Sequence, residues 1–372
     1  MPPVPVKRAE HLFKEALFRI LLLILRRGDN SRLPVDPNAV KSILFLRPDK
    51  LGDMMTTIPA MHALKKEFPL MRIEVIASPK NINLVLEDPQ IDGVHIYSKN
   101  IFVDWPMMMR LRKKHFDIVF DPICHDSITG LLLTRIIGKG SVKAAARKLK
   151  YRPFYDFCEP YQPDGDDHSI DNGLLIFKIF GIDPAGIDPY YPIYISPDAK
   201  ERAEGFYKSL SQKNAVWVGV NIAAGSPSRT LPVSKYEAII NGLSARHPKF
   251  CFLIFCTMDE RKRGMELLAR AKAPTALIPE NLTLQEASAI LEKINFFITP
   301  DTSLVHIAGL MKIPTVGLYS GHIRNYHFWK PYRQKCGSVI AKNFHHLLDI
   351  EPEQVLDEFE KVYREYGHAE GH

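Results

Sequence analysis

Three motifs are missing from the 372 residues: the phosphate-cradling GxxxxGK[ST], the dinucleotide fingerprint GxGxxG and the GxSxG nucleophile turn. Their absence sets aside P-loop NTPases, nicotinamide enzymes and the usual serine hydrolases, and Gly138-Lys139-Gly140 is too short to stand in for any of them. Cysteine is scarce. Cys124, Cys158, Cys251, Cys256 and Cys336 are an odd, scattered set with no CxxC and no close Cys/His pairing, which argues for a reducing compartment and against structural zinc. There is no internal repeat, no long low-complexity tract and no apolar run of membrane-spanning length.

What is present suits two domains of moderate size, each able to bury a core. Hydrophobic content is 46% and charged content 24%, with a net charge of +7. That excess points to an anionic partner: a phosphorylated ligand, an acidic membrane surface or nucleic acid. Nucleic acid is set aside because the basic residues are scattered and no recognition motif accompanies them. At the N-terminus, HLFKEALFRILLLILRR (residues 11–27) combines an apolar stretch with Lys14, Arg19, Arg26 and Arg27. Its uninterrupted part, Ile20 to Leu25, is too short to span a bilayer, and no small-residue cleavage site follows. Residues 1–31 therefore read as a basic amphipathic helix. It either lies on the inner face of a membrane or packs on the protein.

Beyond a Pro-containing linker, strands and helices alternate, which predicts a parallel sheet covered on both faces. Strands are expected near 43–47, 72–77, 95–97 and 116–122, with helices following Gly52, around 81–87 and at 105–114. The pattern weakens from 138 to 162, where the basic residues Lys139, Lys143, Arg147, Lys148, Lys150 and Arg152 suggest a mobile loop or a solvated face. A second block opens at AVWVGVNI (215–222) and runs through helices at 233–246, 260–271 and 284–293 and strands at 250–256 and 275–278. The chain thus divides into a first unit at 39–196, a second at 197–345 and a closing helix at 350–367 that could cross back onto the first.

Doubly wound sheets bind ligands beyond the carboxyl ends of their strands, which singles out three loops. FFITPDTSLVHIAGLMKIPTVGLYSG (296–321) reads as strand, tight turn, helix and strand. Asp301, Thr302 and Ser303 stand where a helix start would hold phosphate, and His306 lies one turn inside. In the first unit Asp53 follows Gly52 at a helix start, with Thr56 and Thr57 one turn on. It is a candidate general base or simply an N-cap. In NIAAGSPSRTLP (221–232) small residues admit a ligand to the backbone, while Ser226, Ser228 and Arg229 supply donors. DGDD (164–167) resembles a metal-binding DxD, but it sits in a polar loop after YQP and reads as a solvated turn. No metal and no cofactor are expected.

Together, LRPDKLGDMMTTIPAMHALKKEFP, DHSIDNGLLIFKIFGI, the SRTLP loop and TPDTSLVHIAGLMKIPTVGLYSG resemble the heptosyltransferase family of bacterial glycosyltransferases. The resemblance implies a GT-B architecture, two facing Rossmann-like domains, and an inverting, metal-independent transfer of a sugar, ADP-heptose being the favoured donor, to a lipid-linked anionic glycan such as lipopolysaccharide core. It implies Asp53 as base, with Lys50, Gly52 and Thr56 shaping the acceptor side. It also implies Arg229 on the donor diphosphate, Glu260 near the nucleoside, and Asp301, Thr302, Ser303 and His306 in the donor-binding turn. Lys143, Arg147 and Lys148 are then candidates for the acceptor's anionic groups. Ser303 replaces a frequent glycine, Leu231 a frequent tryptophan, and Cys256-Thr257 small glycines. The implied setting is cytoplasmic, peripheral on the inner membrane. The competing expectations are a catalytically silent nucleotide-sugar scaffold and an enzyme of the same architecture acting on soluble sugar nucleotides.

Overall fold

The run SILFLR at Ser42–Arg47 (β1) is buried at five of its six positions, and it lies between two parallel neighbours, Arg72–Ala77 (β2) and Ile118–Asp121 (β4). A strand covered on both faces needs apolar side chains pointing both ways. Ile43 and Phe45 enter one core cluster, while Leu44 and Leu46 enter another on the opposite face. Gly93–Ile96 (β3), Val142–Lys148 (β5) and Phe157–Pro160 (β6) complete a sheet of order β3-β2-β1-β4-β5-β6. Val216–Asn221 (β7), Phe250–Phe255 (β8), Thr275–Leu277 (β9), Phe296–Pro300 (β10), Thr315–Tyr319 (β11) and Gly337–Ile340 (β12) form a second, of order β12-β11-β10-β7-β8-β9. All neighbouring pairs are parallel. In each half the first three strands run outward on one side and the next three on the other, so the order reverses between β1 and β4 and again between β7 and β10. The computed structural model describes residues 27–162, 167–190, 193–210, 215–224, 226–333 and 336–366, together with Phe18, Ile20, Leu25 and Gln212.

The halves share a core. One apolar cluster runs from Ile43, Phe45 and Phe120 through Ile176 and Phe177 to Trp217, Leu253, Phe297 and Ile307 of the second half. The helix Pro197–Ser209, capped by Ser196, belongs with the second half, since Tyr207 Oη donates to the Ile290 carbonyl at 2.9 Å.

Three expectations are corrected. The stretch 138–162 is not a loop; it contains β5 and β6, and β5 is buried at most of its positions, while Lys139, Lys150 and Arg152 in the connections are exposed. Only a short 3-10 turn, Ile82–Leu84, forms where a helix over 81–87 was expected. The closing helix, Pro352–Tyr366, does not cross back. Its buried stripe Val355, Leu356, Phe359 and Val362 packs on the outer core of the second half. Gly242 admits it there, for a Cβ at that position would lie 2.7 Å from a Leu356 methyl. Residues 330–333 return to the first half instead. The Lys330 carbonyl meets His168 Nε2 at 2.6 Å, Tyr190 Oη donates to the Tyr332 carbonyl at 2.7 Å, and Tyr332 Oη donates to Asp171.

Most of the N-terminal amphipathic segment lies outside the described residues, as do residues 164–166 of the DGDD turn and Gly225 of the 221–232 loop. Of that N-terminal segment, Phe18 stacks on Tyr151 with ring centroids 5.6 Å apart, and Leu25 packs against the same small cluster around Phe154.

Candidate active site

At the carboxyl end of β1 the chain turns through Pro48, Asp49 and Lys50 into the helix Leu51–Met55. Lys50, not Asp53, occupies the N-cap position. Asp53 therefore stands in the first turn, where the helix dipole favours a carboxylate, and among the described residues its side chain makes no hydrogen bond. Its carbonyl is what the neighbours use: Thr56 and Thr57 donate to it at 3.2 and 2.9 Å. Thr57 in turn accepts from buried Arg47 Nε at 2.8 Å, and Arg47 reaches Asp49 at 2.6 Å. Burial, aided by the Asp53 charge and opposed by Arg47, pushes the Asp49 carboxyl up to about 6.

The second half brings a different set. Asn221, ending β7, donates to Thr299 Oγ1 at 3.0 Å and Thr302 Oγ1 at 3.1 Å, tying the ends of β7 and β10 together. Thr302 is the N-cap of Ser303–Leu310, but its side chain makes no capping bond to that helix. Asp301 accepts from Asn325 Nδ2 at 2.9 Å and lies 3.8 Å from the Arg229 guanidinium. Burial raises its carboxyl, with Arg229 and Asn325 pulling the other way. His306 is buried 5.3 Å from the Trp329 ring, and desolvation, then the nearby His168, push it down to about 3. It is a neutral imidazole at physiological pH.

These two ends face one another across a cleft of about 1020 Å³. Lys50, Gly52, Asp53, Arg229, Asp301, Thr302, Ser303 and His306 all line it. Beside it a second cavity of about 440 Å³ opens at the ends of β7, β8 and β10, and Thr302 and Ser303 line both. The smaller cavity mixes apolar walls from Phe255, Ile278 and Leu284 with polar groups from Asn221, Arg261 and Glu280, the lining a heterocycle with a few polar edges needs.

Other expected residues stand elsewhere. Thr56 is buried behind the helix. Ser226 and Ser228 bond to each other at 2.9 Å and line neither cavity. Glu260 is engaged by Arg263 at 2.6 Å, which also holds the Leu231 carbonyl, so it braces the loop rather than the cavity wall. Lys143, Arg147 and Lys148 lie on β5 and are committed to partners. Lys143 donates to the Ser141 carbonyl at 3.0 Å, and Arg147 reaches Asn172 at 3.0 Å and Asp167 at 2.9 Å. Lys148 is fully buried, with Nζ 2.9 Å from Asp121 and donating to the carbonyls of Ile123 and His125 at 2.6 and 3.1 Å. A buried ammonium must be paired to be tolerated. Lys148 thus shapes the 123–125 loop from beneath instead of meeting ligand.

Residues that sequence reasoning passed over also line the cleft: Arg47, Asp49, His125, Lys80, Lys99, Asn325 and Trp329. His125 follows β4, the strand beside β1 at the reversal point, so the rule that ligands gather there was the available signal. Burial, then the Lys148 charge, lowers its pKa. Burial pushes the thiol of Cys124 beside it up to about 12, which disfavours the thiolate that nucleophilic attack needs.

Residues 105–359, well over half the chain, match the model of glycosyltransferase family 9 (heptosyltransferase). Among curated proteins, the lipopolysaccharide core heptosyltransferase OpsX of Haemophilus influenzae is 21% identical over 309 residues, covering 78% of this chain and 82% of that protein. Lipopolysaccharide heptosyltransferase 3 of Escherichia coli K12 is 20% identical over 317 residues, covering 79% and 86%. Among solved structures, a family 9 glycosyltransferase from Veillonella parvula superposes with a TM-score of 0.77 at 19% identity, covering 89% of this chain and 98% of that one. E. coli heptosyltransferase WaaC with ADP gives 0.67 at 16%, covering 88% and 99%. The facing doubly wound sheets are therefore those of the GT-B heptosyltransferase fold, and the chain belongs to glycosyltransferase family 9 (heptosyltransferase).

Proposed function

We propose that this glycosyltransferase moves a heptose from ADP-heptose to a lipopolysaccharide core or related envelope-glycan acceptor, with inversion at the anomeric carbon, at the cytoplasmic face of the inner membrane. The observation that carries the reading is the placement of an unengaged Asp53 carboxylate and an uncapped helix start, with Arg229, on opposite walls of one cleft. Asp53 takes the proton of an acceptor hydroxyl as its oxygen bonds to the anomeric carbon. The bond from that carbon to the β-phosphate oxygen breaks, and the nucleoside diphosphate leaves with the electron pair. Attack from the wall facing the leaving group inverts the centre. Arg229 and the N–H groups at Ser303 stabilise the developing diphosphate charge, the task a metal ion performs elsewhere.

The nucleoside fits the 440 Å³ cavity, and Thr302 and Ser303, shared with the cleft, then lie beside the diphosphate. On the acceptor wall Lys50, Lys80 and Lys99 have no ion pair among the described residues. They take over the role first assigned to Lys143, Arg147 and Lys148, holding the acceptor's anionic groups. Neutral His306 supports the donor-site wall through its contact with Trp329.

Calorimetric titration with ADP, UDP, GDP and CDP tests the donor. Selective ADP binding, lost in Asp301→Ala, is the expected result. Preference for another nucleotide would change the sugar donor, and binding of none would remove the transferase reading.

A further inference from the structure

The helix Ile101–Lys114 has its polarity inverted at its start. Asp104 is 1% exposed and points inward, where its carboxylate accepts from Ser98 N–H and Oγ, both at 2.9 Å. Around it four large apolar side chains face solvent: Ile101 at 54%, Phe102 at 88%, Val103 at 62% and Trp105 at 48% exposure. The turn is not loosely held, since Asn100 caps it through Phe102 N–H at 3.1 Å. Such a concentration of exposed apolar surface in five residues marks an interaction site. Helical spacing carries the same outer face onward to Arg110 and Lys113, both exposed and without an ion pair among the described residues. The only acidic residue of the helix is the buried one. The residues immediately before it, Tyr97, Ser98 and Lys99, line the cleft.

We propose that this outer face docks on an anionic lipid bilayer. Ile101, Phe102, Val103 and Trp105 enter the headgroup region, and Arg110 and Lys113 lie against lipid phosphates. Apolar side chains next to unpaired cations are the composition of an interfacial helix. The charge pattern favours a lipid surface over a second copy of the chain, which would set like charges against each other. Docking here sets the mouth of the cleft at the membrane, where a lipid-linked acceptor would be found; that consequence, unlike the docking itself, rests on the proposed acceptor. The apolar Phe18 and Leu25 of the N-terminal segment, by contrast, are turned toward the protein.

The test is co-sedimentation of the full chain with vesicles of phosphatidylethanolamine and phosphatidylglycerol, and with phosphatidylcholine vesicles alone. The unmodified chain should bind the anionic vesicles preferentially. Phe102→Ser combined with Trp105→Ser should lower the partition coefficient at least tenfold, as should Arg110→Glu combined with Lys113→Glu. Leu70→Ser, altering an apolar side chain 96% exposed elsewhere on the first half, should leave it unchanged. No binding by the unmodified chain, or equal binding by the Phe102/Trp105 variant, overturns the proposal. So does a fall in particle mass by light scattering for that variant, which would assign the face to self-association. Nucleotide titration of the same samples reports on the donor site separately, so either reading can fail while the other stands.

Discussion

The two halves wind their strands in the same order, yet the ends of β1 and β4 differ in kind from the ends of β7 and β10. The first is built on buried charge: Lys148 on Asp121, Arg47 on Asp49, with Tyr155 donating to Asp121 at 2.9 Å. The second is tied by neutral groups, the Asn221 amide and the Thr299 and Thr302 hydroxyls. Topology places a crevice at each reversal point, and side-chain chemistry then decides what the crevice can do. Where the scaffold charges neutralise each other, one further carboxylate, Asp53, lines the cleft with no side-chain hydrogen bond among the described residues, as the proposed proton transfer requires. Where neutral groups tie the strand ends, the proposed anion site rests on the helix start at Ser303 and on Arg229, which lies 3.8 Å from Asp301.

If that division is real, the halves can be disabled separately. The largest effect is expected from Asp53→Asn. It should lower kcat by about 10² to 10⁴, the range of a lost general base, while ADP affinity by calorimetry stays within about threefold. Comparable loss of nucleotide binding would collapse the contrast between the halves. Next comes Lys148→Met, which leaves Asp121 charged in the core and should cost about 3–5 kcal/mol in urea-unfolding stability. Near-native stability would show that the first half does not depend on its buried pair.

An effect of similar size tests the seam between the halves, where His168 and His306 lie. Desolvation holds both near 3, well below their ordinary value. The unfolded chain protonates them near pH 6.5, so between about pH 3 and 6.5 it binds more protons than the folded chain. Stability is then full above that window and falls as pH drops through it, by about 1.4 kcal/mol per pH unit for each histidine. Urea midpoints at pH 7 and pH 5 should show the fall, and His168→Gln should flatten it. Asp49 and Asp301, whose carboxyls are raised, oppose the fall over part of the window, so the comparison with His168→Gln decides: an unchanged slope in that variant would mean that the His168 ring is not held neutral.

Local pattern carried much of the architecture. The helix Val233–Arg246 and the strand Thr315–Tyr319 coincide with the spans read from periodicity, because proline bounds both segments and their apolar spacing agrees with their local propensity. The turn after β10 and the Gly52-Asp53 turn were legible for the same reason. Trp329 and Asn325 were not, since their place in the cleft depends on how residues 323–333 cross to the first half. The C-terminal helix was legible as a helix, but its partner was not. Its apolar stripe states that something covers it, and only the opening over Gly242 decides what.

The sequence by itself determined two doubly wound halves, the order of their elements and the turns that carry Asp53 and Asp301. The tertiary structure decided which charges are free to act. Lys143, Arg147 and Lys148 look alike in a string of basic residues. On a strand successive side chains alternate between faces, and whether a lysine meets solvent or a carboxylate depends on the neighbouring strand. Lys148 meets Asp121 and becomes part of the scaffold, whereas Lys50, Lys80 and Lys99, which no sequence pattern groups together, converge on the cleft. Pairing energy falls off over a few ångströms, so the roles of these charges are set by distances that only the folded chain creates.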